Sequence, residues 1–222
     1  MELKAPSLVT AECYADQKYG LVTEGELLRE LLEYYHSIHV YCGSFNPVHE
    51  GHKTIAQAVN HYARLDSEFT ITPTLAMAEM CVAPRGKEIR TLELDQVREV
   101  SIELKLPVFI SDKTYFIDKA EQLSKLWNRN HNITFHVGID TLIRLINDTS
   151  EKEVNDMPCR FIYYPRAGYH NTWDFWKIRN AFVGYLSTYK YNGLSSTAIR
   201  ENLTPKSEGC KVYYNGTCPR CW

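Results

Sequence analysis

An α/β fold, with a mostly parallel sheet and helices on both faces, is predicted by three features of the chain. Short apolar runs such as Ile38–Cys42, Ile133–Gly138 and Phe161–Tyr164 read as buried strands. Segments with helical spacing of apolar residues alternate with them. The third feature is a strand, a small-residue turn and a helix start in immediate succession over residues 38–59. A length of 222 residues suits one large α/β domain or one domain with appendages, and 44% apolar residues suffice for a core.

The elements follow in order. Residues 1–22 show weak periodicity and are expected to be a loose lead-in. Thr23-Glu24-Gly25-Glu26 fits a capping box, with Leu27, Leu28, Leu31, Leu32 and Tyr35 at helical spacing after it. The strand ending at Cys42 leads through the turn into a helix expected to reach about Leu65. Phe69-Thr70-Ile71-Thr72 is β-rich and is expected to be the second strand, with residues 76–90 a loop. A helix over Leu92–Leu104, a short strand over Pro107–Ile110 and a helix over Phe116–Trp127 come next. The strand Ile133–Gly138 runs into Asp140–Ile146, and Phe161–Tyr164 is a further strand. Ala181–Leu186 is a weaker strand, and Ser195–Asn202 a short helix.

Composition excludes several classes. A formal charge of −2 gives no bulk basic field for nucleic acid or an anionic membrane. No stretch approaches the roughly 18 apolar residues of a membrane span, and the N-terminus lacks a signal-peptide core. A cytoplasmic protein is expected, in which the seven cysteines are thiols or metal ligands rather than disulfides. There is no G-x-x-x-x-G-K-[ST] loop and no G-x-G-x-x-G fingerprint, which disfavours an ordinary NTPase or NAD-dependent dehydrogenase.

The chemistry concentrates in Gly43-Ser44-Phe45-Asn46-Pro47-Val48-His49-Glu50-Gly51-His52. Glycines let backbone N–H groups approach an oxyanion, a helix N-terminus adds partial positive charge, and two imidazoles can donate to phosphoryl oxygens. In sheets of this kind ligands sit beyond the carboxyl ends of the strands, where the strand order switches. A second cluster, Gly193-Leu194-Ser195-Ser196-Thr197-Ala198-Ile199-Arg200, puts hydroxyls at a helix start with an arginine one turn on, a geometry suited to phosphates. Simple N-capping is the alternative for those hydroxyls, and for Asp140.

These segments resemble the nucleotidyltransferase superfamily, which includes the mononucleotide adenylyltransferases and the cytidylyltransferases. The Ser-Ser-Thr-x-Ile-Arg segment is similar to a signature of the bacterial nicotinate-mononucleotide adenylyltransferases. Gly138-Ile139-Asp140-Thr141-Leu142 resembles the superfamily's Gly-x-Asp-x-Leu segment, and Tyr164-Pro165-Arg166-Ala167-Gly168-Tyr169 loosely resembles its Arg-Pro-Gly turn. Tyr115-Phe116-Ile117-Asp118-Lys119-Ala120-Glu121 is similar to a segment of a little-characterised cytidylyltransferase-like branch.

The resemblance implies a Rossmann-like nucleotidyltransferase domain over residues 37–204, preceded by the lead-in and helix of 1–36 and followed by a cysteine-containing tail of 205–222. It implies transfer of AMP from ATP to nicotinamide or nicotinate mononucleotide, releasing pyrophosphate and forming the dinucleotide of NAD biosynthesis. A cytidylyltransferase, or an adenylyltransferase with another phosphorylated acceptor, is the alternative; a nucleotide-binding regulatory module without transfer activity is the alternative of another class. His49 and His52 would stabilise charge on the phosphates. Gly43, Ser44 and Phe45 would contact the α-phosphate, with Lys53 as a helper. Ser196, Thr197 and Arg200 would hold the departing pyrophosphate, and Gly138 and Asp140 would meet the ribose. Mg²⁺ would accompany the ATP.

Other polar residues carry weaker readings. Arg98, Arg144 and Lys119 read as solvated helix charges, and His136 as either core or site. Cys210, Cys218 and Cys221 supply three of the four ligands a structural zinc site needs, so they read as free thiols unless His170, Cys159 or another subunit completes the set. A homo-oligomer is compatible with the aromatics Tyr163, Tyr164, Trp173 and Trp176, which suit an interface or the core equally.

Overall fold

The computed structural model describes residues 3–9, 22–84, 89, 91–127, 132–165 and 177–184. Its centre is the apolar run that precedes the Gly43–His52 turn, strand β3 (Ser37–Cys42). In chain order the elements are β1 (Ser7–Val9), β2 (Val22–Glu24), α1 (Gly25–Glu33), β3, α2 (Glu50–Thr70), β4 (Thr74–Cys81), α3 (Leu94–Leu104), β5 (Val108–Ser111), α4 (Phe116–Trp127), β6 (Ile133–Gly138), α5 (Ile139–Asp148), α6 (Glu151–Asn155), β7 (Arg160–Tyr164) and β8 (Ala181–Val183).

The strands form one sheet in the order β2-β1-β5-β4-β3-β6-β7-β8. From β5 to β8 every pairing is parallel. Strand β1 is antiparallel to both of its neighbours. Numbered along the parallel strands alone, the order is 3-2-1-4-5-6, the Rossmann-like arrangement whose reversal lies between β3 and β6.

Period-two alternation along β3 divides the core. Ile38 and Val40 pack with Phe135, Val137 and Phe161 beneath α1, α4 and α5. Tyr41 faces the other way, with Ala78, Met80, Val108 and Ile110 beneath α2 and α3. The side of α2 turned to the sheet is built from Gly51, Ala56, Ala58, Val59 and Ala63. Residues this small let the helix lie close to the strands.

Three expectations need correction. Phe69–Thr72 is not a strand: α2 continues through Thr70, and Ile71 closes it in the left-handed region at φ 56°. Phe69 and Ile71 are among the most exposed apolar residues, so β-propensity found no neighbouring strand to satisfy it. The second parallel strand is instead Thr74–Cys81, most of which was expected to be loop. Its Ala and Glu residues are poor strand formers, yet central burial on both faces overrides that preference. Ser7–Val9, within the expected loose lead-in, is a fully buried strand on β5.

One helix escaped the reading altogether. In α6 the Ser150 hydroxyl caps the helix by accepting from the Glu153 N–H, and it donates to the Glu153 carboxylate. The expected strand at 181–186 is present over Ala181–Val183. The expected helix at 195–202 lies outside the described residues.

Candidate active site

The ladder from Ile38↔Ile133 to Tyr41↔His136 brings the turns after β3 and β6 to the same edge of the sheet. That edge is the carboxyl end of the parallel strands, at the reversal of strand order. The turn after β3 is tied to its other neighbour, because the Gly43 N–H donates to the Glu79 carbonyl at 3.2 Å. A side chain at Gly43 has no room: an added Cβ would lie 2.6 Å from the Phe45 ring. Phe45 itself adopts φ 47°, a left-handed conformation uncommon for a bulky residue. Burial holds it there, with its ring 5.1 Å from Tyr41 and 5.1 Å from His52. The strain of such a residue, about 1–3 kcal/mol, is typical of ligand-binding turns.

His49 is the N-cap of α2 in extended conformation, and its carbonyl accepts from the N–H groups of His52 and Lys53 at 2.8 and 3.1 Å. The spacing of three therefore puts both imidazoles on the first turn, stacked with centroids 3.8 Å apart. Both rings are half-buried beside a helix N-terminus, where partial positive charge favours an anion. Lys53 is turned elsewhere. Its ammonium lies 3.1 Å from Glu103 on α3 and 3.5 Å from Glu50.

At the end of β6, Gly138 is the N-cap of α5 and Asp140 sits in the first turn. The N-cap alternative for Asp140 is thereby removed. Its side chain is 22% exposed and faces the Arg144 guanidinium at 3.7 Å. A Cβ on Gly138 would come within 2.6 Å of Asp140 Oδ1. Gly138→Ala is expected to push that carboxylate aside and, if Asp140 meets a ribose as the resemblance implies, to weaken nucleotide binding about tenfold, the loss of one hydrogen bond to a charged group. Calorimetric titration with ATP checks it, while Tm stays within a few degrees because only a flexible side-chain tip must move.

A buried ion pair lies beside the Gly43–His52 turn, and here the reading of Lys119 as a solvated charge is overturned. Lys119 Nζ lies 2.9 Å from both Glu79 carboxylate oxygens, with the two side chains 9% and 3% exposed. Burial and the Glu79 carboxylate raise the neighbouring Cys42 thiol well above its usual range. The signal was present in sequence: Lys119 falls on the same helical stripe as Phe116, Ala120, Leu123 and Trp127. Arg144, in contrast, is 67% exposed as expected.

His136 belongs to the core, fully buried on the face beneath α2. It bonds His39, a residue that sequence reasoning passed over as part of an apolar strand. Ser196, Thr197, Arg200, Arg166 and the tail cysteines Cys210, Cys218 and Cys221 lie outside the described residues. Cys159 is buried, and burial pushes its thiol up to about 12, the state of a core thiol rather than a thiolate ligand. Among the described residues, no group of three or more His, Cys, Asp or Glu side chains is placed to hold a metal ion. No described helix is long and apolar enough to cross a membrane.

Comparison with known proteins adds two findings. A family model described as cytidylyltransferase-like matches residues 40–202. The chain is also similar to a probable nicotinate-nucleotide adenylyltransferase of Thermoanaerobacter sp. (strain X514), at 25% identity over 170 residues, covering 72% of this chain and 80% of that protein.

Proposed function

We propose that this chain, which belongs to the cytidylyltransferase-like family of nucleotidyltransferases, transfers AMP from ATP to nicotinate or nicotinamide mononucleotide. The observation that carries the reading is the stacked His49–His52 pair on the first turn of α2, at the switch point of the sheet. The similarity to the Thermoanaerobacter protein supports the pyridine acceptor, and nicotinate before nicotinamide.

The reaction is an in-line displacement. A phosphate oxygen of the acceptor forms a bond to the α-phosphorus of ATP, and the bond from that phosphorus to the bridging oxygen breaks. The electron pair leaves with pyrophosphate, and no covalent enzyme intermediate forms. His49 and His52 donate to the oxygens on which negative charge grows, and the α2 N-terminus adds its dipole. Asp140 accepts from ribose hydroxyls. Ser196, Thr197 and Arg200 take the leaving pyrophosphate. Mg²⁺ arrives with ATP as part of the substrate, held by phosphates and water.

Pyrophosphate release with Mg²⁺ tests this, with ATP and CTP each paired with the two pyridine mononucleotides and a panel of other phosphorylated acceptors. Release with ATP and a pyridine mononucleotide is expected. The family's description favours one second reading, cytidylyl transfer, for which release with CTP would be the sign. ATP binding without release from any pair would make the chain a binding module.

A further inference from the structure

Beneath α2 four polar side chains form a chain that the transfer chemistry does not use. Asp66 Oδ2 lies 2.9 Å from His39 Nε2, His39 Nδ1 lies 2.8 Å from His136 Nε2, and His136 Nδ1 lies 2.7 Å from the Tyr164 hydroxyl. The residues come from α2, β3, β6 and β7. Three are buried, and only Asp66 reaches solvent, with its side chain 45% exposed.

The direction of each bond follows from one end. An ionised Asp66 can only accept, so His39 carries its proton on Nε2. With His39 in its neutral form Nδ1 accepts, which requires His136 to donate from Nε2. His136 must accept on Nδ1, and the Tyr164 O–H supplies that bond. Every donor points toward Asp66. Burial holds His136 well below its usual value, which leaves it neutral with one ring nitrogen to donate and one to accept, and burial keeps the Tyr164 phenol protonated. The remaining titratable neighbours are Tyr41 on β3, Tyr62 on α2 and Arg160 on β7.

The sheet-facing side of α2 explains why such a chain matters. Gly51, Ala56, Ala58, Val59 and Ala63 set the distance between helix and sheet, with Ile55 and Tyr62 packed beside them, but apolar contact is not directional. Directional bonds supply what the apolar contact lacks. The same face of β3 bears His39 toward Asp66 and Tyr41 toward His52 and Phe45. We infer that the one-way chain Tyr164–His136–His39–Asp66 sets the axial register of α2 on β3, β6 and β7, making these four positioning residues for the His49–His52 pair. The inference rests on the proposed transfer reaction for its kinetic consequence only.

Long-range ¹H–¹⁵N spectra of histidine-labelled protein at neutral pH test the chain itself. His39 and His136 are both expected as Nε2–H tautomers; an Nδ1–H tautomer or an imidazolium at either would overturn it. Asp66→Ala then tests the register. Asp66 is 14 residues beyond His52, about 21 Å along the helix. The variant is expected to move the His49 and His52 ring resonances and to lower kcat per folded molecule about 10- to 100-fold. Asp66→Asn, which still accepts from His39, restores both. Unmoved resonances in Asp66→Ala overturn the positioning role whatever the rate. Wild-type protein that releases no pyrophosphate defeats the transfer reading alone, because the spectra need no acceptor.

Discussion

Alanine at position 52 is expected to slow pyrophosphate release about 10²- to 10³-fold, the usual cost of losing one donor aimed at developing charge. The backbone of the turn should survive the change, because its bonds to the His49 carbonyl come from main-chain N–H groups at positions 52 and 53. What disappears is the imidazole, with its stack on His49 and its edge contacts with Phe45 and Tyr41. Those contacts are worth about 1 kcal/mol, or about 2–4 °C in Tm. A large kinetic loss beside a small thermal one identifies a group acting on the substrate. His52→Gln returns an N–H donor to the position and is expected to recover part of the rate. Equal rates for wild type and His52→Ala would remove the imidazole from the chemistry and leave the turn a packing device.

The sequence made the site legible in proportion to how local each signal was. Gly43 to His52 is one uninterrupted stretch whose turn, helix start and paired imidazoles are all fixed by neighbours in the chain. The strand before it and the helix after it were readable for the same reason. β4 was not, because its place between β3 and β5 is decided by non-local pairing, while its own residues prefer other conformations. The polar core hid in the same way. Asp66 is 27 residues from His39, and His136 is 97. Only the parallel register of β3 and β6, which sets Tyr41 beside His136, brings the two imidazoles within bonding distance. Glu79 on β4 and Lys119 on α4, 40 residues apart, meet only through the packing of that helix on the sheet. Period-two alternation places His39, Tyr41 and His136 on the α2 face of the sheet, but cannot tell which helix will cover that face.

Removing one partner of the Glu79–Lys119 pair is expected to have the largest effect on stability. Lys119→Met leaves a carboxylate buried without its counter-ion, which costs about 3–5 kcal/mol and lowers Tm by about 6–20 °C. The double variant Glu79→Leu with Lys119→Met is expected to regain most of that, since a buried pair gives little advantage over apolar residues of similar volume. The pair also leaves a signature in pH. Burial alone would lower the lysine pKa, but the Glu79 charge overrides it and holds the ammonium above its ordinary value of 10.5. A raised folded-state pKa contributes stability that is fully present below the unfolded value and is lost as pH rises through the folded one. Denaturation midpoints should therefore show no contribution to pH dependence from this group up to about pH 10 and a decline in stability above it, absent from the double variant. The same variant separates stability from function. Glu79 also carries the carbonyl that receives the Gly43 N–H, a main-chain bond that a leucine can keep. If the double variant is stable yet slow in transfer, the ion pair shapes the Gly43–His52 turn; if it is stable and fast, the charges serve folding specificity alone.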